Sequence, residues 1–214
     1  MNIGVIGGTG QLGKAIAKRL AAAGHAVTIG SRSVQTAQDV AAEIGASGGA
    51  TYADAASDKD VVIVTVPFAA QAEALTTIRG TVGQAIVVDT TVPLVPPKVM
   101  RVQLPEAGSA AMTARALLGP EVRLVSAFHN VAAHKLITDE PVDCDVLVFG
   151  DEVDARSTVI GLVEDMGMRG LSGGALANSA AAEALTSVLI YMNKTYGADG
   201  AGIRFTALAA KPAT

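Results

Sequence analysis

The chain alternates short apolar runs with stretches of helical periodicity. Asn2–Ile6 predicts a buried strand, and a glycine-rich turn follows it. Over residues 11–23, Leu12, Ala15, Ile16, Leu20 and Ala23 recur at helical spacing, while Lys14, Lys18 and Arg19 fall off that stripe. Gly24 is a natural stop for this helix. Ala26–Gly30 reads as a second strand, and Val34–Ile44 as a helix with Ser33 as its N-cap. Two apolar runs, residues 61–66 and 85–88, are continuous rather than alternating, as in strands covered by helices on both faces. Helical stretches are predicted near residues 69–77 and 109–118, strands at 122–127 and 146–149, and a helix over 152–166. An edge strand is expected at 168–171. From Leu176 the pattern changes to a long alanine-rich helix reaching residue 195, a short strand at 202–205 and a disordered tail at 207–214.

Strand and helix in alternation predict an α/β protein with a Rossmann-type doubly wound parallel sheet and a small, mainly helical C-terminal domain. The expected division is 1–172 for the nucleotide-binding domain and 173–214 for the C-terminal segment and tail. Residues 91–107 contain Pro93, Pro96, Pro97 and Pro105. A loop of this length and composition is expected to cover a binding crevice.

Composition narrows the function classes. At 214 residues the chain is long enough for a full core without metal or disulfide staples. The net charge is −4 with no basic run, and aromatic residues make up 3 % of the chain. Nucleic-acid binding needs a concentrated cationic patch and stacking platforms, so it is not expected. The single cysteine, Cys144, cannot pair within the chain and reads as a partly buried thiol, and no metal-binding spacing is present. There is no leader-like segment and no apolar run of membrane-spanning length, so a cytoplasmic protein with no membrane partner is expected.

The chemistry begins at the first turn. Gly7-Gly8-Thr9-Gly10-Gln11-Leu12-Gly13 places Gly8, Gly10 and Gly13 in the G-x-G-x-x-G pattern. The first glycine permits a tight turn, the second lets backbone amides approach a pyrophosphate, and the third lets the helix lie close to the sheet. The amino end of the helix adds partial positive charge. At the end of the second strand an NAD-specific fold carries an acidic residue for the ribose hydroxyl. Here Gly30-Ser31-Arg32-Ser33 offers a hydroxyl at Ser31 and a guanidinium at Arg32, which suits the 2′-phosphate of NADP(H).

Substrates of open α/β sheets bind beyond the carboxyl ends of the strands. The segments there are residues 65–68, 89–91 and 126–130. Pro67 either shapes the floor beneath a nicotinamide or simply starts a helix. His129 directly follows a strand end; it is a candidate for the site and for acid–base work, or a histidine bonded to a neighbouring loop. None of Tyr52, Tyr191 and Tyr196 precedes a lysine by four, so the usual proton donor of a carbonyl reductase is not found. A hydride exchange between two cofactors needs no strong donor.

The ordered set of Ile6 to Gly13, Gly30-Ser31-Arg32, Val66-Pro67, Ser126-Ala127-Phe128-His129-Asn130-Val131, Leu176-Ala177-Asn178, Glu183-Ala184-Leu185-Thr186 and Gly202-Ile203-Arg204 resembles the NADPH-dependent coenzyme F420 reductases. That resemblance extends to about Phe205. It implies reversible hydride transfer between NADP(H) and the deazaflavin of coenzyme F420, and a homodimer. It further implies that the glycine turn with Thr9, Gly10, Gln11 and Leu12 holds the pyrophosphate, and that Ser31 and Arg32 hold the 2′-phosphate. Val66 and Pro67 would lie by the nicotinamide, and the loop with His129, Asn130, Val131 and Ala133 against the deazaflavin. Two readings with other outcomes remain open from the residues alone. One is an NADPH-dependent reductase of another small acceptor, such as an imine, a flavin or a metal chelate; the other is a non-catalytic NADP-sensing protein.

Overall fold

A computed structural model describes residues 1–208. The expected tail at 207–214 therefore lies mostly outside the described residues. The sheet has eight strands in the order β3-β2-β1-β4-β5-β6-β7-β8. They are β1 (Asn2–Ile6), β2 (Ala26–Gly30), β3 (Gly48–Ala50), β4 (Val61–Val64), β5 (Ile86–Asp89), β6 (Leu124–Ser126), β7 (Asp145–Gly150) and β8 (Arg169–Gly174). The helices are α1 (Gln11–Ala22), α2 (Val34–Ile44), α3 (Tyr52–Ala56), α4 (Phe68–Ile78), α5 (Ala110–Leu118), α6 (Ala133–Leu136), α7 (Val153–Asp165) and α8 (Ser179–Tyr196). The strand order reverses between β1 and β4, which is the switch point of a Rossmann sheet.

The continuous apolar runs are explained by the two faces they serve. In β4, Val61 and Ile63 join one core cluster with Ile16, Leu20 and Val159. Val62 and Val64 join the other, with Leu75, Ile78 and Leu118. Each such fully buried aliphatic side chain contributes roughly 1.5–3 kcal/mol. Arg19 fastens α1 to the end of α6 and the segment after it, donating to the carbonyls of Leu136, Thr138 and Glu140, and to Met166 beyond α7.

Several expectations need correction. One pairing, β6 with β7, is antiparallel, so the sheet is mostly rather than wholly parallel. Residues 202–205 do not form a strand; they meet β7 only at its first residue, where Asp145 N donates to Ile203 O at 2.7 Å and Phe205 N donates to Asp145 Oδ2 at 2.6 Å. The strand β3 and the short helices α3 and α6 carry no apolar pattern that marks them in the sequence. The proline-rich segment lies against α8, with Ser187 Oγ donating to Arg101 O, and lines neither of the two cavities described below. No described helix is long and apolar enough to cross a membrane.

Candidate functional site

The glycine turn leaves β1 at the switch point. Gly7 takes φ +78°, a left-handed conformation that glycine adopts without strain, so the tight turn belongs to Gly7 rather than to Gly8. Gly8 is needed for closeness instead: a Cβ there would lie 2.9 Å from Val5 O and 3.0 Å from Ile29 Cγ2. At Gly13 a Cβ would fall 2.4 Å from Thr65 Oγ1 and 2.7 Å from Gly7 O, so this glycine lets α1 settle onto the turn and β4. A Cβ at Gly10 would meet only Gly7 O, at 3.3 Å, and otherwise opens onto free space.

The amino ends of α2, α3 and α5 are capped by Ser33, Thr51 and Ser109, each accepting a backbone N–H. Gly10 gives α1 no such cap. The first amides of α1 are therefore available to an anion, with the helix dipole behind them. This is the cradle that a dinucleotide pyrophosphate requires.

Beside it lies a cavity of about 240 Å³ lined by Gly7, Thr9, Gly10, Arg32, Tyr52, Thr65, Val66, Pro67, Ala70, Glu73 and Ala74. It joins the turn to the guanidinium of Arg32 and to the Val66-Pro67 segment after β4. Tyr52, at the start of α3, shares this cavity with Arg32. Burial pushes its phenol up, and the nearby Arg32 charge opposes that shift. Ser31 is mostly buried, its Oγ accepting from Ser33 N at 3.3 Å, and it does not line the cavity. Thr65 opens the strand-end segment 65–68 named from the sequence, whereas Tyr52 is an addition that the sequence reading missed. The capping pattern Thr51-Tyr52-Ala53-Asp54 was the available signal: Thr51 Oγ1 accepts from Asp54 N at 3.2 Å and donates to Asp54 Oδ2 at 2.7 Å.

The loop after β6 forms a second wall. Phe128 has φ +66°, a conformation costing a non-glycine residue on the order of 1–3 kcal/mol. It swings His129 and Asn130 toward α8. Asn130 Nδ2 donates to Ala182 O at 2.9 Å and to Thr186 Oγ1 at 3.1 Å, and Thr186 Oγ1 donates to His129 O at 2.8 Å. His129 Nε2 lies 2.7 Å from Ser126 Oγ in a hydrogen bond, and burial drives its pKa down to about 3. The ring is neutral at physiological pH and is not poised as an imidazolium acid. His129, Asn130 and Val131 line a cavity of about 130 Å³ with Ala132, Thr186, Leu189, Ile190, Asn193 and Ala201. Ala133 lines a separate depression with Gln11, Lys14, His134 and Ile137. The structure thus gathers Gly7, Thr9, Gly10, Arg32, Val66 and Pro67 in one cavity and His129, Asn130 and Val131 in another. Gly8 and Leu12 line neither.

A buried carboxylate network supports both walls. Asp89, at the end of β5, accepts from Thr91 Oγ1 at 2.6 Å and from Gln71 Nε2 at 2.6 Å, and burial pushes its pKa up to about 6. Glu183 of α8 caps α5, accepting from Ala110 N at 2.6 Å and Ala111 N at 3.1 Å. Neither residue was singled out as a support from the sequence. Cys144 is a buried free thiol, as expected.

Comparison with known proteins bears on this geometry. Residues 2–93, which include the glycine turn, Arg32 and Val66-Pro67, match the family described as NADP oxidoreductase coenzyme F420-dependent. The chain is 38 % identical to the F420-dependent NADP reductase of Methanothermobacter thermautotrophicus, covering 97 % of this chain and 96 % of that one. It is 35 % identical to the enzyme of the same name from Methanocaldococcus jannaschii, covering 97 % and 99 %. A crystal structure from Arthrobacter sp. FB24, assigned as an F420-dependent NADP-reductase, shares the fold with a TM-score of 0.83 at 24 % identity, covering 96 % of this chain and 99 % of that one. Identity sustained over nearly the whole of both chains, together with the match across the turn and the residues after β2 and β4, places the chain in the coenzyme F420-dependent NADP oxidoreductase family.

Proposed function

We propose that this protein moves a hydride between NADP(H) and the deazaflavin coenzyme F420. The observation that carries the reading is the single cavity joining the uncapped amino end of α1 to the Arg32 guanidinium and the Val66-Pro67 segment. A pyrophosphate fits the first, a 2′-phosphate the second, and a flat nicotinamide the third. Thr9, Gly10, Gln11 and Leu12 supply the turn and the first helical amides, Arg32 pairs with the 2′-phosphate, and Ser31 shapes the strand end beneath it. The cofactor pair supplies the redox chemistry; the chain binds, orients and excludes water.

His129, Asn130 and Val131 form the acceptor side, with Ala133 at its border. His129 acts as a neutral hydrogen-bonding group that orients the acceptor and steadies charge on it. Its ring needs no protonation for this role, in keeping with a reaction that demands no strong acid. The proposed division of labour follows the chain: residues 1–172 carry the NADP side and the acceptor loop at 129–133, and the chain from residue 173 closes the acceptor side through α8. The reading includes a cytoplasmic homodimer; the exposed apolar side chains Val188, Tyr191, Met192 and Tyr196 on α8 suit a subunit contact.

An absorbance assay with NADPH and purified coenzyme F420 tests the activity. Multiple turnovers of deazaflavin reduction, far slower with NADH, are expected. NADPH binding without turnover of the deazaflavin would refute the catalytic reading.

A further inference from the structure

After α8 the chain turns back across the acceptor loop. Asp199 Oδ1 lies 2.8 Å from His134 Nε2, and Asp199 Oδ2 lies 3.1 Å from Lys135 Nζ, both on α6. Gly200 sits so close that a Cβ would come within 2.7 Å of Ala132 Cβ and 2.9 Å of the His134 ring, and its φ is +77°. Ala201 N donates to Asn193 Oδ1 at 2.8 Å, and Ala201 itself lines the cavity that holds His129. Gly202 lies on Cys144, where a Cβ would be 2.8 Å from Sγ, and that thiol donates to Asn130 O at 3.5 Å. The far end is fixed by Asp145, which accepts from Phe205 N at 2.6 Å and from Arg169 Nε at 2.7 Å.

We propose that residues 199–205 are the outer wall of the acceptor cavity and that the Asp199 ion pairs with His134 and Lys135 hold this wall against residues 129–133. The inference rests on the acceptor-side reading above and extends it to a segment with no assigned role. Within the segment, Ala201 lines the cavity together with His129 and Asn130, so the position of residues 199–201 sets how the acceptor side is closed. The β6 loop and α8 are tied to each other by Thr186 and Asn130, and the Asp199 pairs add the tie between this segment and α6. The Asp199 and His134 side chains are 80 % and 56 % exposed, and exposed ion pairs hold weakly, so loss of Asp199 loosens the wall without unfolding the chain. The Asp145 anchor, with a side chain 0 % exposed, keeps the far end fixed.

Asp199, His134 and Gly200 are then positioning residues for the acceptor and not for NADPH. The test is steady-state kinetics of the full chain with coenzyme F420 and NADPH for Asp199→Ala and Gly200→Val. His129→Ala and the unrelated exposed pair variant Asp139→Ala are run alongside. Asp199→Ala is expected to raise the KM for coenzyme F420 about two- to fivefold, the effect of losing the two exposed ion pairs. Gly200→Val should raise it further, Asp139→Ala should leave it unchanged, and Asp199→Glu should restore most of the loss, all with an unchanged KM for NADPH. Asp199→Ala is at the surface and should fold, so it decides the matter if Gly200→Val does not. An unchanged KM for coenzyme F420 in Asp199→Ala, with a raised one in His129→Ala, would overturn the wall and leave the acceptor assignment standing. No change in either variant would remove the acceptor assignment, and the wall with it. Equal rises for both substrates would mean general loosening and would also overturn the proposal.

Discussion

The hydroxyl of Thr186 donates a 2.8 Å hydrogen bond to the carbonyl of His129, so one side chain of α8 fixes the loop that leaves β6. The same oxygen accepts from Asn130 Nδ2 at 3.1 Å. Replacing it with a methyl group leaves a partly buried carbonyl and an amide hydrogen unpaired. Thr186→Val should cost about 1–3 kcal/mol of folding stability. In kinetics it should raise the KM for coenzyme F420 more than that for NADPH. Urea unfolding and paired substrate titrations check both halves.

The NADP side is tested at Arg32. Arg32→Ala should weaken NADPH by about 1.5–3 kcal/mol, the range for a hydrogen bond to a charged group, and leave NADH nearly unaffected. A ratio of the two KM values that stays at its wild-type level would remove Arg32 from the site.

Gly10 and Gly13 separate binding from packing. Gly10→Val should fold and fail to bind NADPH, because the space above Gly10 is open to the ligand and not filled by protein. Gly13→Ala puts a methyl 2.4 Å from Thr65 Oγ1, and should destabilise the fold by about 1–3 kcal/mol. Thermal unfolding beside NADPH titration distinguishes them; the reverse pattern would exchange the two roles.

The pH dependence follows from His129. Its folded-state pKa is depressed to about 3 by burial, below its ordinary value of 6.5. The stability linked to it is present above the ordinary value and is lost as pH falls toward the depressed one. Wild type should therefore lose stability on acidification below about pH 6.5 more steeply than His129→Gln. The acceptor kcat/KM should show no ionisation from this ring near neutrality. A titration midpoint near pH 6.5 that vanishes in His129→Gln would contradict the buried, neutral assignment.

Much of this architecture is legible in the residues. Gly8, Gly10 and Gly13 mark the turn, Ser33 marks the start of α2, and the unbroken apolar run at Val61–Val64 marks a strand buried on both faces. What stayed hidden has physical causes. Gly48–Ala50 lacks β-branched side chains; the strand forms because it pairs with β2 and because Gly49 fits against the backbone of Ala37 and Gln38, where a Cβ would be 2.2 Å from Ala37 C. The antiparallel direction of β7 leaves no trace in apolar periodicity. The left-handed conformation of Phe128 is imposed by the bonds that His129 and Asn130 make with Thr186 of α8, not by local preference. Tyr52 reaches Arg32 only because β3 delivers α3 to that end of the sheet.

The most direct test follows an isotope. With NADPH carrying deuterium at the transferable nicotinamide position, direct transfer between the two bound rings predicts deuterium on the hydride-accepting carbon of the reduced deazaflavin, with no label at that carbon from deuterated solvent in the converse experiment. Solvent-derived hydrogen at that carbon, or label retained on the nicotinamide after turnover, would contradict the account.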